Sequence, residues 1–438
     1  MRMYRVVCVV VMGLMMGCGP TSNGSKGDNN QDEEGSGSGI RVSVPLGAGY
    51  APDPDWVRAI ALDDGGVITA SYTITPEGAA VEFTRLDDQF AAIWATRLVG
   101  VRGELGQIAI DRKDRLVLSV STSQLDTHLS RLDASTGALL DTAIIQNASS
   151  RAFAPLDGGG LMLADGVELS DDLTPVRVVK GRGEGVVRLR DGGFVFGSAR
   201  ELGPGTAGSG ASLSKVDASG ELVWKAFATP GPGRHELVGV TQFEDGTLFV
   251  AMTNEAADSR NVASLKPLIT FTFSEDGQLA TSRAHTYFSG TNLSFGGAIS
   301  MAADRQRAYV GLIANSGALG SDIRQQVLSV HDSSGEILSS ALMSGGVGRS
   351  PNGKHLVSYH YSGAVTRAPN AEALCLPSAG GSSESFEPTY EDRKDGEEVI
   401  FGERAVTDFE KMSAEVMSQE RALQEAVMGE AAPSCASP

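Results

Sequence analysis

The chain has little positive charge, few cysteines and no long hydrophobic run, and each lack excludes a class of protein. A formal net charge of −18 repels phosphate backbones, so we expect no nucleic-acid partner. The sequence also has no basic stripe that would recruit anionic lipid. The one extended apolar run, Val6–Met16, is too short for a membrane-spanning helix, which needs about 20 residues.

Motifs for catalysis and metal binding are also missing. The 6 histidines are scattered, and no two of them stand at the i, i+2 or i, i+4 spacing of a ligand face. No G-x-S-x-G elbow occurs, and neither Cys375 nor Cys435 has a histidine close in sequence to activate it. We therefore expect a non-enzymatic protein without metal or cofactor.

The N-terminal residues have the pattern of a targeting signal. Arg2 and Arg5 precede the apolar run, which ends in Met15-Met16-Gly17-Cys18. This pattern resembles the lipobox of bacterial lipoproteins, in which the cysteine is acylated and becomes the mature N-terminus. The resemblance implies a signal peptide at 1–17, a lipid on Cys18 and, since residue 19 is Gly and not Asp, an outer-membrane location, on the periplasmic face or the cell surface. An ordinary secretory signal is the alternative.

Residues 18–39 contain almost no apolar side chains, so we predict a disordered tether. If Cys8 leaves with the signal and Cys18 carries lipid, Cys375 and Cys435 are the remaining pair. In an oxidising compartment such a pair is a candidate disulfide. Two free thiols are the alternative.

An Asp/Gly-rich turn flanked by apolar strands recurs along the chain. A second type of hairpin, with an Asp/Ser/Gly turn between alternating strands, follows most copies of the first. Two hairpins make four antiparallel strands, which is one blade of a propeller. The first type begins at Leu62, Ile110, Leu156, Leu189, Phe243, Ala302 and Arg349, and the second at Val81, Leu129, Val167, Leu213, Phe271 and Leu328.

The repeat predicts an all-β fold, a β-propeller of seven four-stranded blades over residues 40–376. The last blade lacks an outer strand, and we expect the segment Ile40–Leu46 to supply it and close the ring. A degenerate third blade, 151–180, would instead give six blades or an irregular ring. The turn aspartates Asp63, Asp64, Asp157, Asp191 and Asp245 are interpreted as structural, because Asp bonds the backbone of its own turn.

The second hairpin also carries a family resemblance. Leu132-Asp133-Ala134-Ser135-Thr136-Gly137 and the stretch from Val216 to Trp224 resemble the outer turn of quinoprotein-type (PQQ-like) propeller repeats. In that family an Asp, a Gly and often a Trp occupy the outer strand and its turn. Vicinal cysteines are missing here and the 3 tryptophans are few, so the resemblance implies the repeat without its quinone site.

The candidate binding loops are four long connections. They are 201–210, Asn254–Lys266, Thr286–Phe295 and Asn315–Asp322, and the last three predict a partner-facing surface in blades five and six. Solvated insertions without function are the alternative.

Residues 377–438 are predicted as a polar linker and a helical tail. Thr407-Asp408-Phe409-Glu410 forms a capping box, and Phe409, Met412, Val416, Leu423 and Val427 follow at helical spacing.

Together these features predict a lipid-anchored envelope propeller that acts as a non-catalytic scaffold. Its expected partners are outer-membrane lipid, through Cys18, and an envelope protein. The alternatives are a glycan or cell-wall binding protein and a glycan-active envelope enzyme. The enzyme would need carboxylates from several blades at the mouth of the channel.

Overall fold

The computed structural model describes most of the chain from residue 40 onward. The chain divides into two units, Met1–Ser36 and Gly37–Pro438, and every described residue belongs to the second. None of the described residues forms a helix that is long and apolar enough to cross a membrane. The described residues are 40–43, 57–75, 78–122, 126–148, 150–201, 209–229, 234–255, 268–287, 293–316, 323–343, 346–359, 364–368, 382–392, 405–408, 410–413, 417–420 and 427–428.

The described strands form seven antiparallel sheets, and each sheet is one blade of a β-propeller. Blades 1 to 6 each take four consecutive strands, so the predicted fold is confirmed, including a complete third blade with short strands. The strands before the C-terminal tail are β1 (Ile40–Ser43), β2 (Val57–Ala61), β3 (Val67–Thr75), β4 (Gly78–Leu86), β5 (Ala92–Val99), β6 (Glu104–Ile110), β7 (Arg115–Ser121), β8 (Thr127–Asp133), β9 (Leu139–Ile145), β10 (Phe153–Pro155), β11 (Leu161–Leu163), β12 (Val167–Leu169), β13 (Pro175–Val178), β14 (Gly185–Arg188), β15 (Phe194–Glu201), β16 (Ser209–Val216), β17 (Leu222–Thr229), β18 (Arg234–Gln242), β19 (Leu248–Glu255), β20 (Leu268–Phe273), β21 (Leu279–Thr286), β22 (Leu293–Ala303), β23 (Ala308–Ser316), β24 (Ile323–His331), β25 (Ile337–Met343), β26 (Gly346–Arg349), β27 (Leu356–Tyr359) and β28 (Ala364–Ala368).

The N-terminal strand closes the ring, as the sequence predicts. Blade 7 has the strands β26, β27 and β28, and β1 adds to the outer side of β28 with Ile40 opposite Arg367 and Ser43 opposite Ala364. The first and last blades also meet directly, since the Asn352 amide donates to Asp63 Oδ1 at 2.8 Å. The propeller is therefore closed by backbone pairing and by a turn-to-turn bond.

The hydrophobic core lies between the blades. Seven clusters of described buried residues occur, and each one combines side chains from two neighbouring blades. Phe196, Phe249 and Phe271 are fully buried in these clusters, and burial of one such side chain contributes about 1.5–3 kcal/mol. Among the described residues, every interface between neighbouring blades therefore has its own hydrophobic cluster.

The predicted C-terminal helix is wrong. The described part of the tail is a belt of short strands that lies against the outer edges of the blades, with one 3₁₀-helix at Val406–Asp408. The belt strands are β29 (Ser382–Ser385) on blade 5, β30 (Thr389–Asp392) on blade 4, β31 (Lys411–Ser413) on blade 2, β32 (Met417–Glu420) on blade 1 and β33 (Val427–Met428) on blade 7.

The belt follows the ring in the direction opposite to the blades. Each belt strand pairs antiparallel with an outer strand, as where Ala226 faces Asp392, so it satisfies N–H and C=O groups that an edge strand leaves unpaired. This pairing explains why helical spacing failed as a predictor, because tertiary backbone partners override local propensity. Two belt strands, β29 and β30, also lie within the stretch predicted as a polar linker.

Candidate functional site: the loop end of blades 4 to 6

The two ends of the propeller differ in their connections. At the turn end, defined by the tight turns that join the first strand to the second and the third to the fourth, the connections are short and bonded to neighbouring blades. Asp64, Asp191 and Asp245 accept from backbone amides of their own turns at 2.8–2.9 Å, as predicted. Asp157 instead pairs with Arg188 of the next blade at 2.6 Å. The polar groups at the turn end therefore stabilise the turns and join neighbouring blades.

The loop end is defined by the connections from second to third strand and from blade to blade. In blade 1, Thr75 and Gly78 are separated by two residues. In blade 4, Glu201 and Ser209 are separated by seven, and in blade 5, Glu255 and Leu268 by twelve. Ser316 and Ile323 of blade 6 are separated by six. Because the blades are consecutive and antiparallel, the strand ends that these longer connections join lie in one sector of the loop end.

The structure places the predicted loop boundaries as follows. Asn254, Phe295 and Asn315 lie in strands, opposite His235, Ala314 and Arg324 respectively, so the blades extend further than the sequence indicates. Thr286 also ends a strand, and its hydroxyl is hydrogen-bonded to Ser382 of the belt at 3.0 Å. Lys266, Asp322, Cys18, Cys375 and Cys435 lie outside the described residues.

A group of charged residues lies at the start of the innermost strands, and no sequence motif predicts it. Glu104 opens β6 in blade 2 and forms an ion pair with Arg151, which stands just before β10 in blade 3. Glu184 stands just before β14 in blade 4, and Glu236 lies in β18 of blade 5. Each innermost strand begins at the loop end, so four successive blades bring these four side chains to the same mouth of the ring.

The electrostatics of this axial group centre on Glu184. The surrounding protein desolvates its carboxyl and raises the pKa above the ordinary value, and repulsion from Glu236 acts in the same direction. The Ala199 amide, which donates to Glu184 Oε2 at 3.2 Å, and the nearby Arg151 act in the opposite direction. The Glu184 side chain nevertheless remains exposed to solvent.

Metal binding finds no support among the described residues. No group of three or more described His, Cys, Asp or Glu side chains could hold a metal ion. Among the histidines, His285 and His331 come together although they are 46 positions apart in sequence. Only the arrangement of blades 5 and 6 reveals this pair, because no local spacing in the sequence connects them.

Comparison with known proteins gives similarity of fold and no family. No family model matches the chain, and no curated protein matches it in sequence. Among solved structures, the Dos1 propeller is 12% identical with a TM-score of 0.41, covering 76% of this chain and 92% of the other. A chain of the mitotic checkpoint complex is 10% identical with a TM-score of 0.46, covering 80% and 99%. An uncharacterised protein from Listeria monocytogenes is 10% identical with a TM-score of 0.37, covering 70% and 90%.

Proposed function

We propose that this chain is a lipid-anchored envelope β-propeller that acts as a non-catalytic protein-interaction module. The observation that carries the proposal is the asymmetry of the two ends. At the turn end, side chains and backbone are used to join blades, whereas at the loop end blades 4 to 6 carry connections of six to twelve residues. Binding residues in proteins concentrate on loops that a rigid scaffold positions.

The proposed location at the outer membrane is inferred from the sequence. Cys18 in its lipobox-like setting would hold the protein at the outer membrane, and residues 18–39 would provide the tether. A polar tether of this length would let the propeller present its loop end to an envelope partner. The acidic character of the chain, with a net charge of −18, disfavours close contact with anionic lipid surfaces.

The test is crosslinking in living cells with a tagged full-length copy, followed by mass spectrometry. One variant replaces 256–267 of blade 5 by a short Gly/Ser linker, and a second replaces 317–322 of blade 6. The matched control replaces 123–125, part of the connection between the second and third strands of blade 2. We expect a specific envelope protein that is lost with either loop of blades 5 and 6 and retained with the control. Equal capture by all variants would overturn the proposal.

The axial group favours a second candidate, a glycan-binding or glycan-active protein. Glycosidases use paired carboxylates, one of which has a raised pKa, and Glu184 has a raised pKa beside Glu236. The test is binding and turnover of cell-wall fragments by the wild type and by Glu184→Gln and Glu236→Gln. Turnover that either substitution abolishes would support an enzyme, and binding without turnover would support a lectin-like role. The absence of both would remove this candidate.

A further inference from the structure

Two histidines from neighbouring blades are packed ring to ring in the interior. His285 lies in β21, the outer strand of blade 5, and His331 is the last residue of β24 in blade 6. Their ring centroids are 4.7 Å apart with an interplanar angle of 65°, and both residues have a relative solvent exposure of 0%. The Phe249 ring also packs against His331, with the two ring centroids 5.6 Å apart. The pair is thus part of the seam between two blades.

The belt is bonded directly to this pair. His285 Nδ1 is hydrogen-bonded to the Ser383 hydroxyl at 3.0 Å, and His285 Nε2 to the Thr270 hydroxyl at 2.8 Å. The same Ser383 oxygen accepts from the Ile337 amide of blade 6 at 3.3 Å. One belt side chain therefore joins the outer strand of blade 5 to the outer strand of blade 6.

The surroundings suit neutral imidazoles. His331 Nδ1 donates to the Gly335 carbonyl at 3.3 Å, and its Nε2 has no hydrogen-bond partner among the described residues. Burial lowers the pKa of His285 to about 2, with repulsion from His331 and Arg283 in the same direction. Burial also lowers the pKa of His331 to about 4, although the Gly335 carbonyl and Asp332 oppose it.

The charged groups around the pair do not supply a buried counter-ion. On β21, Arg283 is an ion-pair partner of Glu336, with Nη1 and Oε2 2.7 Å apart. Asp332 accepts from the amides of Ser334 and Glu336 in its own turn. Glu384 of the belt follows Ser383 in a strand, where successive side chains point to opposite faces. A proton added to either imidazole would therefore introduce a poorly compensated buried charge.

We propose that the His285–His331 pair makes the belt acid-sensitive, so that protonation of either ring releases β29 from the edge of blade 5. Release lets water reach the imidazole and exposes the β21 edge, at which a partner strand could pair. The device is local, since belt strands β31, β32 and β33 pair with other blades. It does not depend on the proposed envelope partner.

The size of the effect follows from linkage. A released histidine has a pKa near 6.5 and is therefore mostly protonated at pH 5. The buried His331 ring, with a pKa of about 4, is mostly neutral at that pH, so protonation favours the released state. The equilibrium constant for release should then rise roughly thirtyfold between pH 7.5 and pH 5 for each ring that becomes exposed.

The test is hydrogen–deuterium exchange on the full chain at pH 7.5 and pH 5, corrected for the intrinsic pH dependence of exchange. The reporting segments are 282–286 and 382–385, and the reference is β3 in blade 1, a strand that contains no histidine. The variants are His285→Gln and His331→Gln. The matched control is His128→Gln, which removes another buried histidine, bonded to Thr142 at 2.9 Å, without touching the pair.

We expect the wild type and His128→Gln to lose protection in both segments at pH 5, by thirtyfold or more, while β3 keeps its protection. His285→Gln and His331→Gln should each lose less. Should either variant fail to fold, Ser383→Ala gives an independent answer, because it should loosen 382–385 already at pH 7.5. Unchanged protection of the wild type at pH 5, equal loss in all variants, or full protection in Ser383→Ala would overturn the proposal.

Discussion

The indole of Trp94 in blade 1 lies against Gly137 in the turn of blade 2. Its Nε1 donates to the Ala134 carbonyl of that turn at 3.2 Å. Trp224 of blade 4 repeats the arrangement with Gly277 and the Glu275 carbonyl of blade 5, at 3.1 Å. Each of these two outer-strand tryptophans therefore joins its blade to the next by a hydrogen bond and a contact with a glycine. This contact, here called the Trp–Gly latch, gives a structural reason for the position of the tryptophans in the repeat.

The Trp–Gly latch predicts that substitution of Gly137 lowers the free energy of unfolding more than substitution of a turn glycine without such a contact. Gly137 has φ of 73°, and a Cβ there would stand 2.5 Å from Trp94 Cε3. Gly192 has φ of 85°, but a Cβ there would meet only ordinary contact at 3.6 Å. Gly192→Ala should lower the free energy of unfolding by about 1–2 kcal/mol through backbone strain. Gly137→Ala should cost a further ~1–3 kcal/mol through the clash, and urea unfolding of both variants measures the difference. Equal costs would show that the indole gives way freely.

The stability of the propeller should fall in mild acid. Burial lowers the pKa of His128 to about 4, whereas in the unfolded chain the value is near 6.5. Below pH 6.5 the unfolded state therefore binds a proton that the folded state refuses, so stability is full above this pH and decreases down to about pH 4. At pH 5 this one histidine should cost about 2 kcal/mol. Urea unfolding at pH 8 and pH 5 measures the loss, which should be smaller by that amount in His128→Gln.

Removal of the belt should leave a propeller that associates. A chain ending at residue 376 keeps all seven blades but exposes the outer edges that β29–β33 cover. Unpaired edges promote strand-to-strand association, so we expect oligomers in sedimentation velocity with the β-sheet circular dichroism retained. A chain ending at residue 428 keeps every belt strand and is the control. A monomeric, fully stable 1–376 chain would show that the belt does not protect the edges.

The disulfide between Cys375 and Cys435 stays a prediction, and the strands before these residues support it. β28 and β33 both flank β1 and run antiparallel to it. The C-terminal ends of these two strands therefore lie at the same end of blade 7. Each strand is followed by a cysteine seven residues later, a distance that spans at most about 25 Å. The two strands are only about 10 Å apart. Peptide mapping of the mature protein with and without reductant should find the bridge, and Cys435→Ser should abolish it.

Much of the fold could be predicted from the sequence because the blades are built from local hairpins. Asp and Gly at fixed turn positions, with alternating strands beside them, are visible without any knowledge of distant contacts. The belt could not be predicted, since its strands have two to four residues and take their structure from the blade edges. Residues such as Met412 fit a helical stripe equally well, and only the partner β9 decides between the two.

Part of the candidate site could likewise be predicted from the sequence, and part could not. The long connections of blades 4 to 6 are visible as gaps between strand patterns, although Asn254 and Asn315 proved to extend the strands. Glu104, Glu184 and Glu236 were not recognised, because each is an ordinary surface-type residue until the ring brings the innermost strands together. His285 and His331 likewise become partners only at the seam of two blades.

The position of β1 between β28 and β33 has a mechanical consequence. If the chain is anchored through Cys18, as proposed, drag on the propeller would load β1, which begins at Ile40. Because β1 is bonded on both sides, a pull along the strand axis loads its two rows of hydrogen bonds together and not one bond after another. The last described strand, β33, thus holds the first described strand, β1, against such a pull.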